Sequence, residues 1–147
     1  MNVFINNTPV SVNHAYRAYR GRVVLSAKAR EFKQHVLDCL PEDYIKIMGK
    51  VRLEVKFMFK DKRKRDIDNY LKVLLDSIKG VLFEDDDQIY ELKVVKAIGC
   101  EREGIELRLE GWDMRQAGRL TDAAAADSNP SPKSLFRKSG IPANSVP

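Results

Sequence analysis

Two aspartates separated by one residue, Asp66 and Asp68, stand directly behind a run of basic residues. The stretch from Lys60 to Asp76 reads KDKRKRDIDNYLKVLLD, with Lys60, Lys62, Arg63, Lys64 and Arg65 ahead of the two acids. In an extended backbone, positions i and i+2 project to the same side, so the spacing predicts converging carboxylates. Carboxylates that converge repel each other, and a divalent cation relieves that repulsion. Hard oxygen ligands suit Mg²⁺ or Mn²⁺, and Mg²⁺ typically takes only one or two carboxylates plus water and substrate phosphate. An ordinary turn with exposed acids has the same spacing, so the pair alone leaves both readings open. An EF-hand is excluded, because Tyr70 falls at the fifth ligand position and Leu71 at the turn glycine.

Lys72 lies four residues after Asp68, and Asp76 four after Lys72. On a helix the three share one face. Lys72 there either stabilises charge on a phosphoryl transition state beside the metal or forms a solvated ion pair with Asp76. A second acidic cluster, Glu84 to Asp87, lies beyond the helix. In a strand–helix–strand unit the loop after the helix lies at the opposite end of the sheet from the loop before it. Bringing the two clusters together within one chain is therefore not automatic. A second basic stretch, residues 14–33, holds Arg17, Arg20, Arg22, Lys28, Arg30 and Lys33 against a single acid, Glu31. Tyr16 and Tyr19 interleave with the arginines, a composition that suits phosphate contact and stacking on bases or, equally, a solvated face.

These residues need elements to hold them. NVFIN (residues 2–6) reads as a short strand, followed by a polar loop, PVSVNHAYRAYRGR. Ser26 caps a helix to about Leu40, with Ala29, Phe32, Val36 and Leu40 on one stripe and Pro41 ending it. Residues 50–60 alternate strictly and predict a half-buried strand. Leu71, Leu74, Leu75 and Ile78 recur at helical spacing, predicting a helix from about Asn69 to Lys79 that Gly80 closes. Residues 88–97 and 104–110 read as two further strands, expected to pair as a hairpin. The order β-α-β-α-β-β predicts an α+β fold with a mixed sheet and two main helices. That body occupies residues 1–113. Residues 114–147, rich in Ala, Ser, Pro, Asn and Gly, are expected to form a disordered tail.

The 147 residues, 44% hydrophobic, suffice for one domain with a real core. Of the net charge of +5, the tail contributes +3 and the body +2. The body is thus not uniformly basic; its charge is clustered, which is what makes a nucleic-acid footprint. Cys39 and Cys100 lie outside any CxxC spacing, which disfavours a disulfide scaffold or zinc knuckle and suits a reducing cytoplasm. Neither a membrane span nor a signal peptide is expected. No GxxxxGK[ST] or GxGxxG is present, so no nucleotide cofactor is expected, and His14 and His35 build no Ser-His-Asp or Cys-His arrangement.

The run KRKRDIDNYLKVLLDSIKGVLFEDDDQIYELKVVK resembles the central region of the RusA-type Holliday-junction resolvases of bacteria and their prophages. It carries a basic run, Asp-x-Asp-Asn ending at Asn69, a helix with Lys and Asp, and an acidic loop ending Asp-x-Gln. The N-terminal loop fits as well, with Pro9, Ser11, Asn13, Tyr16 and Arg17, then Arg20, Gly21, Arg22 and Ser26. The likeness covers about residues 3–110. It implies a homodimeric, Mg²⁺-dependent endonuclease (Mn²⁺ substituting) that binds four-way DNA junctions and nicks two strands symmetrically. The family's essential acids match Asp66, Asp68 and Asp86, its essential lysine matches Lys72, and Asp85 aligns with a neighbouring acid. Asp87 stands where a small residue is common, which leaves open which acid of the loop binds metal. Lys62, Arg63, Lys64, Arg65, Asn13, Tyr16, Arg17, Arg20, Arg22 and Asn69 are then the expected DNA contacts. The dimer offers a way for the two acidic clusters to meet across an interface. Two alternatives are a catalytically silent branched-DNA binding module and a metal nuclease acting on other branched DNA or RNA.

Overall fold

The computed structural model describes residues 1–116. They run through β1 (Asn2–Ile5), a one-turn helix α1 (Val12–Ala15), β2 (Tyr16–Tyr19), β3 (Arg22–Leu25) and α2 (Ala27–Asp38). Then follow β4 (Val51–Phe59), α3 (Ile67–Ile78), β5 (Ile89–Ile98) and β6 (Gly104–Gly111). Contacts divide the chain into one unit ending at Trp112 and a second beginning at Asp113. In the second, Met114–Gln116 form a 3₁₀ turn, and the expected disordered tail otherwise lies outside the described residues.

A mixed sheet, β1-β6-β4-β5, organises the first unit: β4 pairs parallel with β5, and β6 pairs antiparallel with both β4 and β1. The α+β class with two main helices is as the sequence predicts. Alternation does its work on β4, where Val51, Leu53, Val55 and Phe57 are buried under the helices while Arg52, Glu54 and Lys56 face out. The expected hairpin of the last two strands is corrected, because β4 lies between β5 and β6. A strand arriving from a crossover helix pairs parallel, so β5 takes one side of β4 and β6 the other. The short connection between them crosses the end of β4, where the Cys100 amide donates to the Phe59 carbonyl at 3.0 Å.

Residues 9–22, expected to be a loop, instead supply α1, β2 and the start of β3, with β2 and β3 forming a separate two-stranded sheet. Its two-residue turn places Arg20 at φ 48° and Gly21 at φ 75°, the positive values that a tight type I′ hairpin turn requires. The hairpin was hidden because its strands are short and bury no alternating face. Ser26 caps α2 as expected, its hydroxyl accepting from the Ala29 amide at 3.2 Å, and Ala29, Phe32 and Val36 point inward.

In α3 the buried residues are Val73, Leu74, Ser77 and Ile78. The leucine stripe read from the sequence is therefore rotated: Leu74 and Ile78 are interior, but Leu71 and Leu75 sit half-exposed at the margin. Tyr70 packs its ring 5.5 Å from Phe59 and 6.3 Å from Phe57, fixing α3 on the sheet. After α3, Gly80 takes φ 78° and Leu82 and Phe83 plunge into the core. Burying side chains of this size stabilises by about 1.5–3 kcal/mol each, so the acidic residues that follow emerge from an anchored base.

Leu74→Ala should cost about 2–5 kcal/mol by opening a cavity beneath α3, read as a lower urea midpoint with an unchanged slope. Gly104→Ala should be as damaging for a different reason. Gly104 has φ 154°, and an added Cβ would lie 2.6 Å from the Ile5 carbonyl oxygen, so β1 must shift away from β6. A Gly104→Ala chain with the parent's midpoint would show that this contact relaxes freely.

Candidate active site

The two acids of the first cluster start α3. Asp66 is its N-cap, with φ −91° and ψ 122°, and its carboxylate makes no capping hydrogen bond. Asp68 lies in the first helical turn. The expectation of an extended DID segment is thus corrected: only Asp66 is extended, and the helix begins two residues sooner than the leucine spacing indicated. Negative charge at a helix N-terminus is favourable by about 0.3–1 kcal/mol, which helps two exposed acids coexist there. Neither has a salt-bridge partner among the described residues. An N-cap aspartate that accepts nothing from its own helix keeps its lone pairs for another ligand.

Asp68, Lys72 and Asp76 share one face of α3, as the spacing predicts. Together with Leu71, Leu75 and Asp86 they line a shallow depression of about 280 Å³. Asp86 comes from the loop beyond the helix, so this depression is where the two acidic clusters approach one surface. They do not merge. Asp86 sits near the C-terminal end of α3, its Oδ2 4.0 Å from the Lys79 ammonium, and eleven residues of helix, roughly 16 Å at 1.5 Å each, separate Lys79 from Asp68. Among the described residues no three acidic, histidine or cysteine side chains come close enough to hold a metal ion. The donor set is still that of a hard cation, oxygen-only and uncommitted at Asp66 and Asp68.

Asp85 plays a different part from Asp86. Its carboxylate accepts from the Asp86 amide at 2.7 Å and pairs with Lys79 at 2.5 Å. The Lys79 ammonium and then that amide hold the Asp85 carboxyl below the usual carboxylate range. The loop is fastened by Gln88, which accepts from the Glu84 and Asp85 amides at 2.5 and 3.1 Å. Its amide nitrogen donates to the Ile47 and Gly49 carbonyls at 3.1 and 2.7 Å. Gln88 is thus the clasp of the acidic loop, a role its place in the sequence motif did not disclose.

Lys72 pairs with Asp76 at 3.5 Å, and Asp76 in turn accepts a hydrogen bond from the Tyr16 hydroxyl. That bond, burial and the carboxylate's charge push the Tyr16 phenol up to about 12. Tyr16 is half-buried and its hydroxyl is committed to Asp76, so it positions that carboxylate. The sequence held no sign of this contact, which spans sixty positions.

The expected DNA contacts divide in the same way. Lys62, Arg63 and Lys64 project into solvent beside the start of α3, as do Asn13, Arg17, Arg20 and Arg22 around the hairpin, while Asn69 is half-buried. Arg65 is turned inward. It forms a bidentate pair with Asp61, one arm at 2.8 Å, and stacks its guanidinium 4.3 Å over the Phe59 ring. In the free chain the guanidinium of this expected DNA contact is thus engaged within the fold. It holds the basic segment in place, and the pairing keeps Asp61 well below the ordinary carboxylate range. Among the described residues no helix is long and apolar enough to cross a bilayer.

Comparison with known proteins places this chain in a family. The family model for endodeoxyribonuclease RusA matches residues 7–110. A crossover junction endodeoxyribonuclease of Enterobacteria phage HK97 is 32% identical over 98 residues, covering 65% of this chain and 82% of the relative. The enzymes of the same name from Shigella sonnei and Escherichia coli K12 are each 31% identical over 91 residues, covering 60% of this chain and 76% of theirs. A match that spans both acidic clusters, Lys72 and the hairpin makes the chain a member of the RusA endodeoxyribonuclease family.

Proposed function

We propose that the chain is a metal-dependent crossover junction endodeoxyribonuclease that resolves four-way DNA junctions by paired symmetric nicking in recombination and repair. The observation that carries this reading is the depression in which Asp68, Lys72 and Asp86 come to one surface, in a chain whose relatives bear that activity in their names.

Asp66, Asp68 and Asp86 would hold Mg²⁺, with Mn²⁺ able to substitute and Asp85 next to the ion. Bound there, the ion would lower the pKa of a water molecule and polarise the scissile phosphate. Lys72 offers its ammonium to the charge that develops on the phosphoryl oxygens. Asp76 and Tyr16 fix the direction of that ammonium. Lys62, Arg63 and Lys64 neutralise phosphates at the approach to the first turn of α3, so binding should weaken steeply with salt.

The separation of Asp68 from Asp86 within one chain is the strongest argument for a homodimer. The face of α3 between them carries Leu71 and Leu75, apolar and half-exposed. A two-fold interface is self-complementary. Two copies laid antiparallel along this face would bury those leucines and set Asp68 of one copy opposite Asp86 of the partner subunit. The active sites are then shared, and the protein works in the bacterial or phage-infected cytoplasm, with no nucleotide cofactor.

Cleavage of a labelled synthetic four-way junction, beside linear duplex, should require both the junction and Mg²⁺ and should stop with EDTA. Asp66→Asn, Asp68→Asn and Asp86→Asn should each lose more than about 100-fold in rate while still retarding the junction in a gel. A variant that cuts at the parent's rate would remove that acid from the site. Mixing Asp68→Asn with Asp86→Asn chains should restore single-strand nicking, because a mixed dimer keeps one intact shared site. Continued inactivity of mixed dimers would mean that each site is built within one chain.

Tyr16 supplies a test of the positioning network. Its phenol in the folded chain titrates above the unfolded value of 10.0. The folded chain thus keeps a proton that the unfolded chain has lost. The stability this contact gives is full below pH 10 and is lost as the pH rises through about 12. Spectrophotometric titration should show a tyrosinate component near pH 12 that Tyr16→Phe removes. Its persistence in that variant would break the Tyr16–Asp76 assignment.

A further inference from the structure

The core does not explain the exposed apolar side chains of the β2–β3 hairpin. The hairpin pairs with no other strand, and an isolated hairpin is marginal in water. Residues 17 to 25 are all exposed, yet Tyr19 is 59% and Val23 75% accessible, with Val24 beside them. The pairing register sets Tyr19 opposite Arg22 and Arg17 opposite Val24, which places these four on one face. Ala18 opposite Val23 lies on the other. The tip is thus a thin blade with an apolar side chain on each side. Docking against a flat surface would call for one such face only.

Charge narrows what the blade meets. Between Tyr16 and Leu25 there are three arginines and no acid, which favours a polyanion over a second copy of the chain. Arg20 holds the turn at φ 48°, a conformation that Gly or Asn would adopt with less strain, so the tip keeps a cation where geometry alone would choose otherwise. Its guanidinium lies 5.3 Å from the Tyr19 ring. The root is fixed: the Ser26 amide donates to the Ala15 carbonyl at 2.8 Å, and the Tyr16 hydroxyl bonds Asp76 on the rim of the depression that holds Lys72. The blade therefore rises beside the place where the backbone is to be cut.

We propose that this hairpin is the branch-point reader. Tyr19 and Val23 enter the gap where base stacking is interrupted, and Arg17, Arg20 and Arg22 hold the flanking phosphates. Apolar side chains that wedge between bases must unstack a continuous duplex first, whereas a branch point presents the gap already open. Stacking on Tyr19 needs no particular base, so the device reads shape rather than sequence. The inference rests on the junction-cleavage reading above and names the element that would give it its substrate selectivity.

The test uses the full chain carrying Asp68→Asn, so that junctions survive, and four-way junctions with 2-aminopurine at the branch point. Binding should raise 2-aminopurine fluorescence as the base unstacks. Adding Tyr19→Ser and Val23→Ser should abolish the rise and weaken junction binding about tenfold or more, leaving linear-duplex affinity within about twofold. Tyr19→Phe should keep both signals, which separates stacking from misfolding. An unchanged junction-to-duplex ratio in the double variant would overturn the proposal. So would a double variant that sediments as a monomer where the parent is a dimer, since the hairpin would then be a subunit contact. The two readings fail separately. A parent chain that never nicks junctions with Mg²⁺ sinks the nuclease assignment, whereas junction-selective nicking by the Tyr19→Ser, Val23→Ser chain sinks only the reader.

Discussion

The placement of every candidate catalytic group follows from how α3 is pressed onto β4. Val73, Leu74 and Ile78 are buried on its inner side, and Tyr70 packs against Phe57 and Phe59. With the inner face committed, the helix has no choice about what it shows outward. At 100° per residue the opposite side must present Asp68, Lys72 and Asp76 in a row. The parallel pairing of β4 with β5 then sends the chain back to the far end of the sheet, which is why Asp85 and Asp86 emerge at the C-terminal end of the helix. One packing event therefore creates the candidate catalytic row and also keeps the two acidic clusters apart.

The charges of the fold fall into two kinds. On the open face of the sheet, Arg52 meets Glu91 at 2.9 Å and Glu110 at 3.2 Å, and Lys56 meets Glu106 at 3.4 Å. This face is electrically settled: the exposed Lys56–Glu106 pair contributes little to stability, whereas Arg52 is largely buried between its two carboxylates. Around the start of α3 and along the hairpin the balance is broken: Lys62, Lys64, Arg17, Arg20 and Arg22 have no acidic partner in a described salt bridge. Uncompensated cations that cost self-repulsion in the free protein become favourable once phosphates and their counterions are exchanged for them. Arg65 marks the border between the two kinds, since Asp61 and the Phe59 ring claim it for the structure.

Several elements were legible before any coordinates because their signals are local. The strict alternation of residues 51–57, the Ser26 cap and the helical spacing from Asp68 to Asp76 each rest on neighbours a few positions away. The errors came where the deciding partner is remote. The leucine stripe of α3 was read one step off because Leu71 and Leu75 are as apolar as Leu74 and Ile78, and only the sheet decides which pair it covers. The last two strands were paired wrongly because alternation records which face is buried and not which neighbour lies alongside. The hairpin escaped notice because it buries almost nothing, so no hydrophobic period announced it.

By itself the sequence determined the chemistry available: hard oxygen donors at Asp66, Asp68 and Asp86, a lysine one helical turn from the first pair, and cations grouped in two runs. Those are properties of residue type and short spacing, which the covalent chain carries into any fold. Tertiary structure alone decided which of these groups are free to act. It brought Tyr16 to Asp76, turned Arg65 onto Phe59, made Gln88 the clasp of the acidic loop and left Asp68 and Asp86 at opposite ends of one depression. Such contacts join positions tens of residues apart. They depend on how strands and helices stack once the apolar surface is buried, and no local pattern encodes that packing.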